Sequence, residues 1–301
     1  MIVRDQPAAW QLLFAMQGSI IPKIIGKILF VTVISAVVFV VDRFVFGLPH
    51  VSIAAMGIFG VALSLFLGFR NNAAYDRWWE GRKLWGGMIA DIRTLGRDTV
   101  LFVPDAKARR AVLEMGAAFA HFHRGHLRKA DVSLQAEHWI SASQVKTLLK
   151  TPNAADSALR QMANTLATLA KDGGLSDFGQ LRLSQILANL SAAQAGCERI
   201  ANTPLPFVYS LLVRRTTYLY CCLLPFALIE TTQLFAPLFS AIVAYVFFGL
   251  QAVTNELEMP FRNVENGLPL DAMCRIIEIS VADALGDAAP EPLEPVAHVL
   301  T

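Results

Sequence analysis

Two stretches of this chain carry no charge over the length needed to cross a bilayer. Val51–Phe69 (VSIAAMGIFGVALSLFLGF) stops at Arg70, and Leu234–Val253 (LFAPLFSAIVAYVFFGLQAV) stops just before Asn255-Glu256. Spanning about 30 Å of hydrocarbon takes about 20 helical residues, with every backbone group bonded inside the helix. Both stretches therefore predict transmembrane helices. Ile28–Leu48 and Pro206–Ile229 are also apolar, although Asp42-Arg43 and Arg214-Arg215 interrupt them. Each lies a short turn from a clean stretch, near Pro49-His50 and near Glu230–Gln233, so two helical hairpins are expected. The chain is 54% hydrophobic and 17% charged, whereas soluble domains carry nearer about 25% charge. That apolar excess requires lipid or a very large interface. A net charge of +2 argues against a nucleic-acid partner.

Lysine and arginine set the orientation. Lys23 and Lys27 precede the first span, Arg70, Arg77, Arg82 and Lys83 follow the second, and Arg214-Arg215 open the third. The hairpin loops hold neither residue type, which places both termini and the middle segment in the cytoplasm. Arg43 dissents, and Asp42 beside it offsets its charge. Met1–Gln17 contains Asp5, Gln6, Pro7 and Gln11 before any apolar core and does not read as a signal peptide. The expected organisation is all-α: a cytosolic or interfacial segment over 1–27, a first hairpin over 28–69, a cytosolic helical domain over 70–205, a second hairpin over 206–254, and a C-terminal helix and tail over 255–301.

Within the middle segment no proline interrupts Asn71–Val103, so the second span should continue past the membrane as one helix. Pro104-Asp105 opens the next, to about Lys129. Leu134–Leu149 reads as a shorter element, and Ala155–Lys171 as a helix ended by Gly173-Gly174. Ser176-Asp177 caps a long helix to about Ala201. The proline-rich acidic tail from Asp287 is expected to be irregular. Trp78, Trp79 and Trp85 suit an interfacial belt.

The second span holds two stripes. Gly60, Ser64 and Gly68 recur every fourth residue, a small-xxx-small pattern that lets helices approach closely. Val61, Leu65 and Phe69 follow at the same spacing on an adjacent face. If copies of this helix surround an axis, the second stripe stacks as three apolar rings and the first seats a neighbouring subunit. Such constrictions gate by dewetting. An ordinary packed helix has the same periodicity, so spacing alone leaves both readings open.

Three motifs carry a resemblance. FLGFRNNAAYDRWW (residues 66–79), GCERIANTPLPFVY (196–209), and ELEMPF with LPLDA (256–272) resemble the bacterial branch of the bestrophin channel family, in order over most of the chain. The resemblance implies a homopentamer in a bacterial inner membrane. It would have one central pore for monovalent ions, four transmembrane helices per subunit and a large cytosolic vestibule. It also implies a pore neck at Val61, Leu65 and Phe69, and a cytosolic aperture at Phe178, just after Leu175-Ser176-Asp177.

Two departures bear on function. Animal bestrophins have an acidic run here that clasps Ca²⁺. This chain has Met259-Pro260-Phe261-Arg262-Asn263-Val264-Glu265-Asn266-Gly267. One carboxylate and an arginine cannot supply the several oxygens that Ca²⁺ takes, so no Ca²⁺ gating is expected. Chloride-conducting members favour neck phenylalanines, whose positive ring edges can face an anion. Here Leu65 stands in place of one, and the permeant ion is left open between chloride and a cation such as sodium.

Other features point to no chemistry. His121, His123 and His126 read as a solvated or vestibule-lining face, since His121 points away from the other two and two ligands make a poor metal site. Cys197, Cys221, Cys222 and Cys274 lack pair spacing and read as structural thiols. Asp42-Arg43 fits either the outer pore mouth or a helix-end charge pair. Glu256 and Glu258 are expected against cytosolic helices, and Arg93, Arg97, Arg109 and Arg110 as solvated or interface charges. No phosphate loop, nucleophile elbow or zinc helix is present, so neither a catalytic residue nor a metal or cofactor is expected, and the chain does not read as an enzyme. Two rivals stand beside the channel: a non-conducting membrane scaffold docking a cytosolic partner, and a carrier. Inverted repeats would mark a carrier, and the two hairpins show none. A channel requires Leu65 to face an open axis.

Overall fold

The computed structural model describes residues 1–3 and 15–301. The acidic and polar positions Asp5, Gln6, Pro7 and Gln11 lie outside the described residues. Helices dominate, and the described residues contain no strand, only isolated bridges. The chain divides into two compact units. One comprises Trp79–Thr203 and Pro260–Thr301 with the first residues of the chain; the other comprises the stretch up to Trp78 and Pro204–Met259.

The second unit is built from α1 (Ile21–Phe44), the first half of α2 (Ile53–Phe102), α8 (Phe207–Thr232) and α9 (Ala236–Leu257). α1 starts seven residues before the expected Ile28, because Pro22 fits the first helical turn, where its missing N–H would have no partner anyway. The second turn is tighter than expected. α8 runs to Thr232, a single 3₁₀ turn (Gln233–Phe235) follows, and Gln233 adopts φ 45° to reverse the chain. Ile24, Val31, Met56, Leu63, Leu67, Tyr220, Phe247 and Phe248 form one core. Yet 22% of the most apolar window is buried in α1 and in α2, and 33% over Phe207–Leu257. A helix apolar on all sides with one buried stripe needs an apolar surrounding.

Glu256 and Glu258, both expected against cytosolic helices, take different partners. Glu256 pairs with Lys23, and Glu258 turns inward to Arg70. At the other end of α1, Asp42 accepts from the Leu48 amide at 2.8 Å and from His50 at 3.2 Å, closing the α1–α2 turn.

The first unit holds the second half of α2, then α3 (Ala106–Arg128), α4 (Ser133–Glu137), α5 (Ala142–Leu149), α6 (Ala154–Lys171), α7 (Asp177–Asn202) and α10 (Leu270–Leu285). Caps delimit them. Asp105 accepts from the Lys107 and Ala108 amides, Asn153 from Asp156, and Ser176 from Gly179. Leu134–Leu149 is two helices, because Ser141 forms a capping box with Gln144 and restarts the chain. The tail is not irregular throughout. After Gly286, at φ 73°, it turns back so that Val299 bridges Val296 and Ile2 while Thr301 accepts from the Ala272 amide.

Two side-chain expectations are corrected here. Trp85 is no interfacial belt residue: it is fully buried in this core, with its ring centroid 5.4 Å from that of His123. His121 and His123 are not solvated. His123 is buried between Trp85 and Phe119, whose ring lies 6.0 Å away, with neither ring nitrogen bonded. His121 Nε2 donates to the Glu278 carboxylate at 2.8 Å. The reason is packing: His123 falls four residues after Phe119, on the buried stripe of α3. Burial, aided by His126, drives its pKa down to about 3. The folded state therefore holds it neutral while the unfolded chain protonates near pH 6.5. Stability should fall as pH drops from about 6.5 toward 3, by up to about 1.4 kcal/mol per unit. His123→Phe is expected to flatten that slope, measured by thermal unfolding at pH 7.5 and 4.5.

Cys197, Cys221 and Cys274 are buried and Cys222 partly so, all as free thiols. Burial pushes the Cys274 thiol up to about 12, so it stays protonated and inert.

Candidate functional site

α2 runs for 50 residues without a break, and one face of it is buried throughout. In its apolar half that face carries Met56, Leu63 and Leu67. Two residues along a helix is a turn of about 200°, so Val61 and Leu65 point away from Leu63. They are 63% and 58% exposed, and Phe69 is 65% exposed. The expected neck residues thus form one open apolar row of the protomer, and Leu65 is not buried between its own helices.

The small stripe divides. Gly60 is occupied within the chain: a Cβ there would lie 2.7 Å from the Tyr220 hydroxyl. Ser64 is exposed with its hydroxyl bonded to the Val61 carbonyl, and Gly68 has open space around it. Tyr220 cannot swing aside freely, since Phe59 and Phe247 meet its ring edge-on at 5.4 and 5.2 Å. Gly60→Ala should therefore destabilise the protomer by about 1–3 kcal/mol. Tyr220→Phe, which removes the opposing oxygen, should restore most of the loss in thermal unfolding.

One residue past Phe69 the chain buries a charge. Arg70, 4% exposed, donates to Asn255 Oδ1 at 3.0 Å and to Glu258 Oε2 at 3.2 Å. Glu258 Oε1 accepts from the Leu205 amide at 3.1 Å, and Arg77 donates to the Glu258 carbonyl at 3.2 Å. Asn71 accepts from Thr254 at 3.4 Å. This network clamps the end of the apolar row to the segments around Leu205 and Glu258. The sequence marks Arg70 only as a charge ending a span; its partner lies 188 positions away, beyond the reach of any periodicity.

Phe178, the expected aperture residue, is 81% exposed in the first turn of α7. Its placement is rigid. At Gly179 a Cβ would meet Leu175 Cδ1 at 2.7 Å and Phe102 Cβ at 3.1 Å, so the start of α7 sits hard against the end of α2. Arg182 and Asp98 pair across the same junction at 2.6 Å. Phe178 therefore projects from a braced corner.

The remaining motif residues act as braces. Asp271 of LPLDA pairs with Arg124 at 2.6 Å and Arg128 at 2.8 Å. Partial burial raises its carboxyl, but Arg128 and Arg124 outweigh that and hold it below the usual range. Glu198 accepts from Asn153 and Gln194, each at 2.8 Å. Among the described residues no three metal-ligating side chains group together.

Comparison with known proteins agrees over most of the chain. Residues 1–283 match the family described as Bacterial/Fungal Bestrophin protein. A voltage-dependent anion channel-forming protein of Mesorhizobium japonicum is 48% identical over 294 residues, covering 97% of this chain and 95% of that protein. A protein of the same description from Escherichia coli is 38% identical over 293 residues, covering 97% and 96%. The crystal structure of a bacterial bestrophin homologue from Klebsiella pneumoniae has a TM-score of 0.84 at 33% identity, covering 88% of this chain and 99% of that one. With both sequence and helical fold matched over most of its length, this chain belongs to the bacterial/fungal bestrophin family.

Proposed function

We propose that the chain forms an ion channel, as a homopentamer in a bacterial inner membrane, with four transmembrane helices per subunit and both termini in the cytoplasm. The observation that carries this is the open row of Val61, Leu65 and Phe69, three large apolar side chains left without a place in the protomer's own core. Around an axis they make a narrow dry neck, and Phe178 makes a second ring in the cytosolic part. Lipids and further copies of the chain cover the remaining apolar surface.

Two readings of the permeant ion rest on different observations. The relatives are described as anion channel-forming proteins, which favours chloride. The aliphatic Val61 and Leu65 rings offer no positive ring edges to an anion, which favours a monovalent cation such as sodium. Ca²⁺ is not the gating ligand in this proposal, because Arg262 and Glu265 are the charged side chains of Met259–Gly267 and cannot form a cage of oxygens.

Purified protein in planar bilayers under a KCl or NaCl gradient tests this directly. Current is expected, unchanged between chelated and micromolar Ca²⁺. The sign of the reversal potential selects the ion, and Leu65→Phe is expected to move it toward the chloride value. A well-assembled protein that passes no current under any gradient would leave the non-conducting scaffold standing instead.

A further inference from the structure

The end of α3, the residues leading into α4, the end of α5 and the last turn of α7 enclose a half-open cavity of about 670 Å³. That is the size of small-molecule sites, about 300–1,000 Å³. Phe122, Val132 and Leu149 give it an apolar wall, and His126, Lys129, Thr151 and Asn202 give it polar groups. No carboxylate lines it. The Lys129 ammonium and the His126 ring make neither an ion pair nor a hydrogen bond among the described residues, unlike Arg124 and Arg128 on the same helix, which are both held by Asp271. Lys129 also sits at φ 53° and ψ 44°, the left-handed region where glycine or asparagine is usual. Thr151 is already engaged with Leu148 and Ser157, so Asn202 is the neutral donor left over. The neighbouring N-terminus of α6 adds little, since the Asp156 amide is bonded to Asn153.

We infer that this cavity binds a small oxyanion bearing a compact apolar body, such as an aryl phosphate. Lys129 and His126 meet the anionic oxygens, Asn202 donates to them, and the apolar wall covers the body. A cationic site without a competing carboxylate selects against cations, and the wall selects against bare inorganic ions. The inference concerns a binding site and stands apart from conduction.

The test uses the full chain in phosphatidylcholine nanodiscs titrated with phenyl phosphate by calorimetry. Saturable binding at one site per protomer is expected, with inorganic phosphate binding more weakly. Lys129→Asn removes the charge with a residue that accepts the left-handed backbone, and should weaken binding at least about tenfold. His126→Gln should weaken it as well. Nanodiscs containing phosphatidic acid separate two sources of the same chemistry. Competition with phenyl phosphate assigns a lipid headgroup, and undiminished binding assigns a free anion. No saturable binding to the wild type, or wild-type affinity in Lys129→Asn protein that elutes as the intact assembly, would overturn the inference.

Discussion

Replacing Val61, Leu65 and Phe69 together with alanine is expected to raise single-channel conductance about tenfold, since about 1.4 kcal/mol off a barrier changes a rate by that factor. The apolar neck proposed above excludes water, and an ion entering it loses part of its hydration. Shorter side chains widen all three rings and let water stay. The protomer should lose almost nothing: the three residues are more than half exposed, and such substitutions usually change stability by no more than about 0.5 kcal/mol. Leu63→Ala is the control. It is 3% exposed on the opposite face and should cost about 2–5 kcal/mol of stability with little effect on conductance in whatever protein assembles. Unchanged conductance in the triple variant would place the neck elsewhere.

The largest expected stability loss lies one residue further on. Arg70→Ala leaves the Glu258 carboxylate buried, with the Leu205 amide as its remaining bond. Breaking a buried ion pair from one side costs about 3–5 kcal/mol, enough to unfold much of a marginally stable protein. Arg70→Met combined with Glu258→Gln should recover most of that, since the amide keeps an oxygen for Leu205 while no charge is stranded. Fluorescence-detected size exclusion after graded heating reads both variants. Equal losses in the single and double variants would mean that Arg70 acts through its packing and not through its charge.

How much of this was legible beforehand depended on the kind of signal. Helix ends were readable where one residue decides them: Asp105, Ser176 and the glycines after Lys171 each supply a cap or stop that is local in sequence. The open row on α2 was readable as a period, and the structure leaves it open. Burial was misread at Trp85 and His123, because residue type was weighed above position. His123 lies on the apolar stripe that contains Phe119, and that spacing was the available signal. Arg70–Glu258 and Asp271 with Arg124 and Arg128 were not readable at all. Pairs separated by more than a hundred positions are set by how helices return to one another, and no single-chain pattern records that. Gly60 was half readable: its smallness signalled a close approach, while Tyr220 as the occupant came only with the fold.

The open face of α2 also has a consequence for how such a protein diversifies. Val61, Leu65, Phe69 and Phe178 lie outside the protomer's core, while Leu63, Leu67, Gly179 and Asp98 beside them are held by it. Mutation can change side-chain size, polarity or aromaticity at the first set without eroding the folding free energy that the second set supplies. If those four positions form the proposed rings, a different ion can be selected for on a scaffold that need not be rebuilt each time.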